Sequence, residues 1–269
     1  EIRGLASPYG LNFIPGKWIG GIQLTKGGST VVNGYESITG QINTELLKTH
    51  DDDKKAETEI NLFSDNNGRV EANVTSTSPI SDKWNQSVLL HGNGTFGDTD
   101  MNDDGFLDRP KGSQLNVAYL LNYNDLEGSG FASHFGINFL KDERTAGQIG
   151  FNKRIPQKDQ LLYGVGIDIS RFQLWNKTGY IFKGKPYQSL GWMNQLTYHQ
   201  QDSFFGLRNY YGKETSYYSN LIFESIIGNT NNKYKVGASF LYDKYDEDYL
   251  SDNYKRTETV PGLFAEYTL

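Results

Sequence analysis

Beyond about residue 55 the apolar residues of this chain fall at every second position. In LNVAYLLNY, residues 115–123, the odd positions are Leu115, Val117, Tyr119, Leu121 and Tyr123, and the even ones include Asn116 and Asn122. Residues 131–139 repeat this, with Phe131, Phe135, Ile137 and Phe139 on one parity and Ala132, His134, Gly136 and Asn138 on the other. Tyr163, Val165, Ile167 and Ile169 stand opposite Gly164, Gly166, Asp168 and Ser170, and Tyr234, Val236, Ala238, Phe240 and Tyr242 opposite Lys235, Gly237 and Ser239. Successive strand side chains point to opposite faces, so the pattern predicts β-strands with one apolar face and one small or polar face. No helix-period stretch competes with it.

The connections between these strands alternate in length. Short polar turns are expected at residues 80–83, 126–130, 183–186 and 229–232, and longer loops around 97–113, 144–159, 208–215 and 247–254. Long loops kept at one end over successive hairpins are the habit of an outer-membrane barrel, with tight periplasmic turns and long outer loops. The set Leu115, Val117, Tyr119, Leu121, Phe135, Ile137, Phe139, Val165, Ile167, Leu190, Trp192 and Leu196 is then expected to face lipid. The 18 Tyr, 15 Phe and 4 Trp suit interfacial aromatic girdles. A mean hydropathy of −0.60 agrees with a wall whose lumen and loops are polar.

Charge and cysteine content narrow the function classes. A net charge of −6 supplies no basic stripe to displace counterions from a nucleic acid. The absence of cysteine excludes a disulfide framework and any thiolate metal site. No nucleophile elbow, HExxH zinc motif or phosphate-binding loop occurs, and nothing argues for an enzyme.

One stretch resembles a ligand loop. In DTDMNDDGFLD, residues 98–108, Asp100, Asn102 and Asp104 followed by Gly105 reproduce calcium-loop spacing. The Phe106 carbonyl and Asp108 fall at the next ligand positions, and Asp98 is a further oxygen donor. The twelfth position, ordinarily a bidentate Glu, is Lys111. The set Asp98, Asp100, Asn102, Asp104, Phe106 and Asp108 is therefore a candidate calcium site, set against a solvated acidic loop. Of the histidines His50, His91, His134 and His199, the last three lie on the polar parity and are expected to face a lumen.

Before the alternating region, IQLTKGGSTVVNGYESITGQINTELLK, residues 22–48, carries short β-like pieces separated by glycine turns and is followed by HDDDKK. This stretch, with residues 56–96, MNDDGFLDRP and RTETVPGLFAEYTL, resembles the TonB-dependent outer-membrane receptors, most nearly those of Bacteroidetes-type bacteria. The resemblance implies an all-β fold: the C-terminal part of a plug domain (1–50), a linker (51–55) and the N-terminal portion of an antiparallel transmembrane barrel (56–269), about ten strands of a larger one.

It further implies energised uptake of a scarce solute, namely a siderophore, metal chelate, haem, cobalamin or glycan. The implied partners are a periplasmic TonB-type protein, outer-membrane lipid and a small-molecule or oligosaccharide ligand, without nucleic acid. The implied place is the bacterial outer membrane, and no cofactor is required, with calcium the one candidate. Two other readings stand beside it: a soluble or surface-attached β-rich glycan-binding module using the Asp100 loop, and a passive porin, which would lack the plug segment. A further expectation is an incomplete, curved sheet whose first strand near Ala56 and last near Leu269 do not pair.

Overall fold

Alternation this regular leaves the chain little choice but a meander of antiparallel hairpins, and the computed structural model, which describes residues 2–28, 30–34, 40–47 and 55–269, shows one. Ten strands follow in chain order: β3 (Glu57–Ser64), β4 (Arg69–Pro79), β5 (Trp84–Thr95), β6 (Lys111–Asp125), β7 (Phe131–Gly147), β8 (Gly164–Ile181), β9 (Ser189–Phe205), β10 (Arg208–Ile227), β11 (Asn229–Tyr249) and β12 (Asp252–Thr268). Each pairs only with its sequence neighbours, so β3 and β12 are the two edges and do not pair with each other. A separate hairpin, β1 (Ile19–Lys26) with β2 (Gly40–Leu46), is preceded by three 3-10 turns at Gly4–Ala6, Gly10–Phe13 and Gly16–Trp18. The expected linker lies largely outside the described residues, as does His50.

The sheet is inside-out. One face exposes Leu115, Phe135, Ile137, Phe139, Phe172, Leu174, Trp192, Leu196, Leu221, Val236 and Phe240. The other buries Asn73, His91, Asn116, Arg171, His199, Glu214 and Asp243. Water as the only solvent would select the opposite arrangement, because exposed apolar area costs free energy and buried polar groups must be paired. Lipid outside the wall removes the contradiction.

The apolar outer runs have a common height. They extend from Leu115 to Tyr123 on β6, Phe131 to Phe139 on β7, Phe172 to Tyr180 on β8 and Leu190 to Tyr198 on β9, close to the ~9–11 residues that a tilted membrane strand needs. Above them the register row Lys141, Ser170, Gln200, Lys213, Asp246 turns polar across β7–β11. Below them lies an aromatic belt: Trp84 on Tyr123 at 4.9 Å, Phe131 on Tyr180 at 4.6 Å, then Phe182, Phe223 and Tyr234 in succession. These rings sit at the short-turn end, where an interfacial girdle belongs.

Two expectations need correcting. Val165 and Ile167 do not face lipid: Ile169 is fully buried, and Ile167 packs beside it against Ala6 and Phe13 of the N-terminal turns. On β8 the odd parity continues into Arg171 and faces inward, whereas the even residues Phe172 and Leu174 face out. The apolar run thus changes faces near Ser170, because its first part meets other protein. The loops expected at 208–215 and 247–254 are strand instead, closed by turns at residues 206–207 and 250–251, and the turn expected at 229–232 lies within β11, the break from β10 falling at Gly228. Polar residues there mark strands that continue past the membrane, 20 residues long in β10 and 21 in β11. The long loops 97–110 and 148–163 lie at this same end.

Candidate functional site: the inner wall and the segment it holds

One register row crosses the inner face of the whole sheet: Asn61, Asn73, His91, Asn116, Leu140, Arg171, His199, Glu214, Tyr245 and Arg256, one residue per strand from β3 to β12. Nine of the ten carry a polar group. The N-terminal segment docks along this row. Asn116 Nδ2 donates to the Phe13 carbonyl at 2.6 Å, and Gln114 Nε2 to the Asn12 carbonyl at 3.0 Å. The Leu5 N–H donates to Glu214 Oε2 at 2.9 Å, Arg3 pairs with Asp243, and Asn220 Nδ2 donates to the Val32 carbonyl at 2.9 Å. Short turns cannot bond their own backbone fully, so wall amides and carboxylates supply the partners.

Apolar contacts complete the seat. Ala6 and Phe13 pack with Leu140 and Ile169, and Trp18 packs with Leu89, Ala118 and Leu120. The Phe13 ring lies 6.3 Å from the His199 imidazole. Lys17 reaches Glu59 on β3 at 3.3 Å while Arg3 reaches β11. From β3 to β11 are eight strand spacings, roughly 38 Å in a flat sheet, whereas residues 3–17 are folded into compact turns. The sheet therefore curves around the segment.

The histidines do not converge. His91 Nδ1 lies 2.7 Å from Asn73 Oδ1 and its Nε2 2.8 Å from Asn93 Nδ2, contacts that suit a ring donating from Nδ1 and accepting at Nε2. His199 is buried beneath Phe13, and His134 lies toward the short-turn end, 2.8 Å from Asn122 Oδ1.

The acidic loop closes on itself. Asp100 accepts the Asp104 and Gly105 N–H groups at 3.1 and 2.9 Å, Asp104 accepts that of Phe106 at 2.8 Å, and Asp108 that of Met101 at 2.8 Å. Asn102 Nδ2 donates to Asp104, and Asp98 pairs with Lys111 at 2.6 Å. Among the described residues no three histidine or carboxylate side chains are grouped for a metal ion.

Electrostatics at the turns follow the same economy. The Lys83 ammonium, 2.9 Å away, together with Ser129 holds the Asp125 carboxyl down at about 2, and Asp125 raises Lys83 in return. The Arg69 N–H, with that of Asn67 and the Arg109 charge, lowers Asp65 at the β3–β4 turn.

The architecture is an antiparallel wall, apolar outside and polar inside, curved around a segment from the same chain. Two solved structures share it. The copper transporter OprC superposes with a TM-score of 0.53 at 10% identity, over 91% of this chain and 47% of that protein. The alcaligin outer-membrane receptor FauA from Bordetella pertussis gives 0.51 at 9% identity, over 92% and 46%. The chain thus spans about half the length of either. No protein-family model matches the sequence, and no curated protein sequence does.

Proposed function

We propose that this chain is the plug end and first barrel half of a TonB-dependent outer-membrane receptor that imports a scarce solute. The observation that carries this is the polar row with a segment seated on it by few hydrogen bonds. Such a seat occludes the lumen yet can release, since each bond contributes only about 0.5–1.5 kcal/mol net. A passive porin needs an open lumen, and a soluble binding module has no use for an apolar outer face. The partners that follow are a periplasmic TonB-type protein to pull the plug and outer-membrane lipid around the wall. Residues 1–50, 51–55 and 56–269 are the proposed plug, linker and wall.

Conductance tests the reading. The full-length protein in planar bilayers should be nearly silent, and deletion of residues 2–33 should open a large, steady pore. In cells, uptake of the limiting solute should stop when the proton gradient is dissipated. A wide pore in the intact protein would favour the porin instead.

A further inference from the structure

Beyond the apolar band, β10–β12 carry a patch on their inner face that the seated segment covers at one side only: Leu5 lies over Glu214 and Gly212, and Glu214 and Tyr245 are buried, whereas the residues toward β12 and the tip stay open. Its register rows are Glu214, Tyr245, Arg256 and Gly212, Glu247, Tyr254, with Tyr210 and Tyr249 nearer the tip. Arg256 stacks over the Tyr245 ring at 4.2 Å and donates from Nε to Glu258 Oε1 at 2.8 Å. The Tyr210 hydroxyl donates to Glu247 Oε2 at 2.8 Å. Tyr254 and Tyr249 are exposed, at 54% and 38%, and so are the Arg256 and Glu258 side chains.

Charges along the inner wall stand largely in opposite pairs. Along the inner wall Arg69 meets Glu71 at 2.7 Å, Arg144 meets Asp142 at 2.6 Å, Arg256 meets Glu258, and Arg3 meets Asp243. Arg171 stands in the same row as Glu214. This half of the lumen therefore presents no net positive field to an anionic chelate. Soft-metal capture finds no support either, with no cysteine in the chain and both nitrogens of His91 engaged by asparagines. What the patch does offer is donor and acceptor side by side. A guanidinium and a carboxylate 2.8 Å apart suit an alcohol hydroxyl, which accepts from one and donates to the other. Vicinal hydroxyls repeat that need at the same spacing, and an exposed tyrosine ring gives a flat apolar surface for the C–H face of a sugar ring.

We infer that the patch of Tyr254, Arg256, Glu258, Glu247 and Tyr249 is a binding subsite for a neutral polyhydroxylated solute, an uncharged oligosaccharide. The inference rests on the receptor reading and gives its solute a chemical class. Charge pairing makes this binding insensitive to salt, unlike capture of an anion by an unpaired basic patch.

The test is isothermal titration of the detergent-solubilised full-length protein with two probes, a mixed pool of neutral hexose oligomers and a trianionic ferric tris-catecholate. The expected result is binding of a hexose oligomer with an affinity changed less than about twofold between low salt and ~0.5 M salt. Tyr254→Ala and Glu258→Gln should each weaken it about tenfold, the size of a central contact, and Tyr254→Phe, which keeps the ring, should retain it. Unchanged melting of the three variants separates binding from folding. Binding of the ferric chelate but of no oligomer, or oligomer binding indifferent to Tyr254→Ala and Glu258→Gln, would overturn the inference. Those results leave the receptor reading standing, because plug conductance and gradient-dependent uptake test that separately.

Discussion

Gly4 shows how tightly the seat is specified at the level of single residues. Its φ is +59°, and an added Cβ would lie 2.5–2.7 Å from the Glu214 carboxylate that accepts the Leu5 N–H. A left-handed backbone costs an L-residue about 1–2 kcal/mol, and the clash displaces the acceptor as well. Gly4→Ala should therefore loosen the segment without harming the wall, read as faster proteolysis of residues 2–18 at unchanged barrel melting. Asp104 supports a second experiment. Its carboxylate holds the Phe106 N–H and Asn102, so Asp104→Ala should destabilise the loop whether or not calcium is present. If calcium is also bound there, as proposed from the spacing, melting of the parent should rise with calcium by RT ln(1 + [L]/Kd) and Asp104→Ala should abolish the rise. Equal curves with calcium and with chelator would assign the loop a closure role alone.

Strand parity was legible in the sequence, and so was the identity of the apolar face on β6, β7, β9 and β11, because lipid-facing residues alternate with lumen residues without interruption. Parity fails on β8 for a physical reason: Ile167 and Ile169 are apolar because they touch the N-terminal turns at Ala6 and Phe13, and a hydrophobic count cannot distinguish lipid from protein. The seat row was not legible. Its members are spread from Asn61 to Arg256 and come together only through register; the one available signal was that they fall on the polar parity of their strands, and Arg171 on β8 lacks even that. Arginine substitution separates the two faces of β8. Leu174→Arg, in the lipid-facing run, should cost about 2–4 kcal/mol of barrel stability near the bilayer midplane, measured by reversible unfolding from detergent. Ile167→Arg should instead disturb the docked N-terminal turns and leave barrel unfolding nearly unchanged. Acid separates a turn from the strands. Asp125 titrates at about 2 when folded against an ordinary value of 3.8. A depressed folded value contributes stability that is fully present above the ordinary value and is lost as pH falls through the folded one. Melting should therefore decline between about pH 4 and pH 2, and Asp125→Asn should flatten that decline slightly, because an exposed pair is well screened.

At the scale of the whole molecule the question is what closes the wall. The edges β3 and β12 carry lipid-facing residues, Ile60 and Leu62 on one and Leu263 and Tyr267 on the other. An unpaired edge in hydrocarbon leaves backbone groups unsatisfied at several kcal/mol each, so both edges must acquire partners. Joining them directly would make a ten-stranded barrel. Eight strands leave an interior that side chains fill, and an open channel needs about 16–18. Ten strands would thus have no room for the N-terminal turns of residues 4–18, which the inner face already holds. The edges are instead expected to pair with further strands, as fits a chain matching about half the length of its structural neighbours. Cysteines make this measurable in the full-length protein, which otherwise has none along this chain. A pair at Ile60 and Val74, register partners on one face, should form a disulfide under mild oxidation, since opposed Cβ atoms lie about 4.5–5.5 Å apart. A pair at Ile60 and Leu263 should not. Efficient crosslinking of that second pair would mean a closed narrow barrel with its plug expelled, and the porin reading would then replace the receptor.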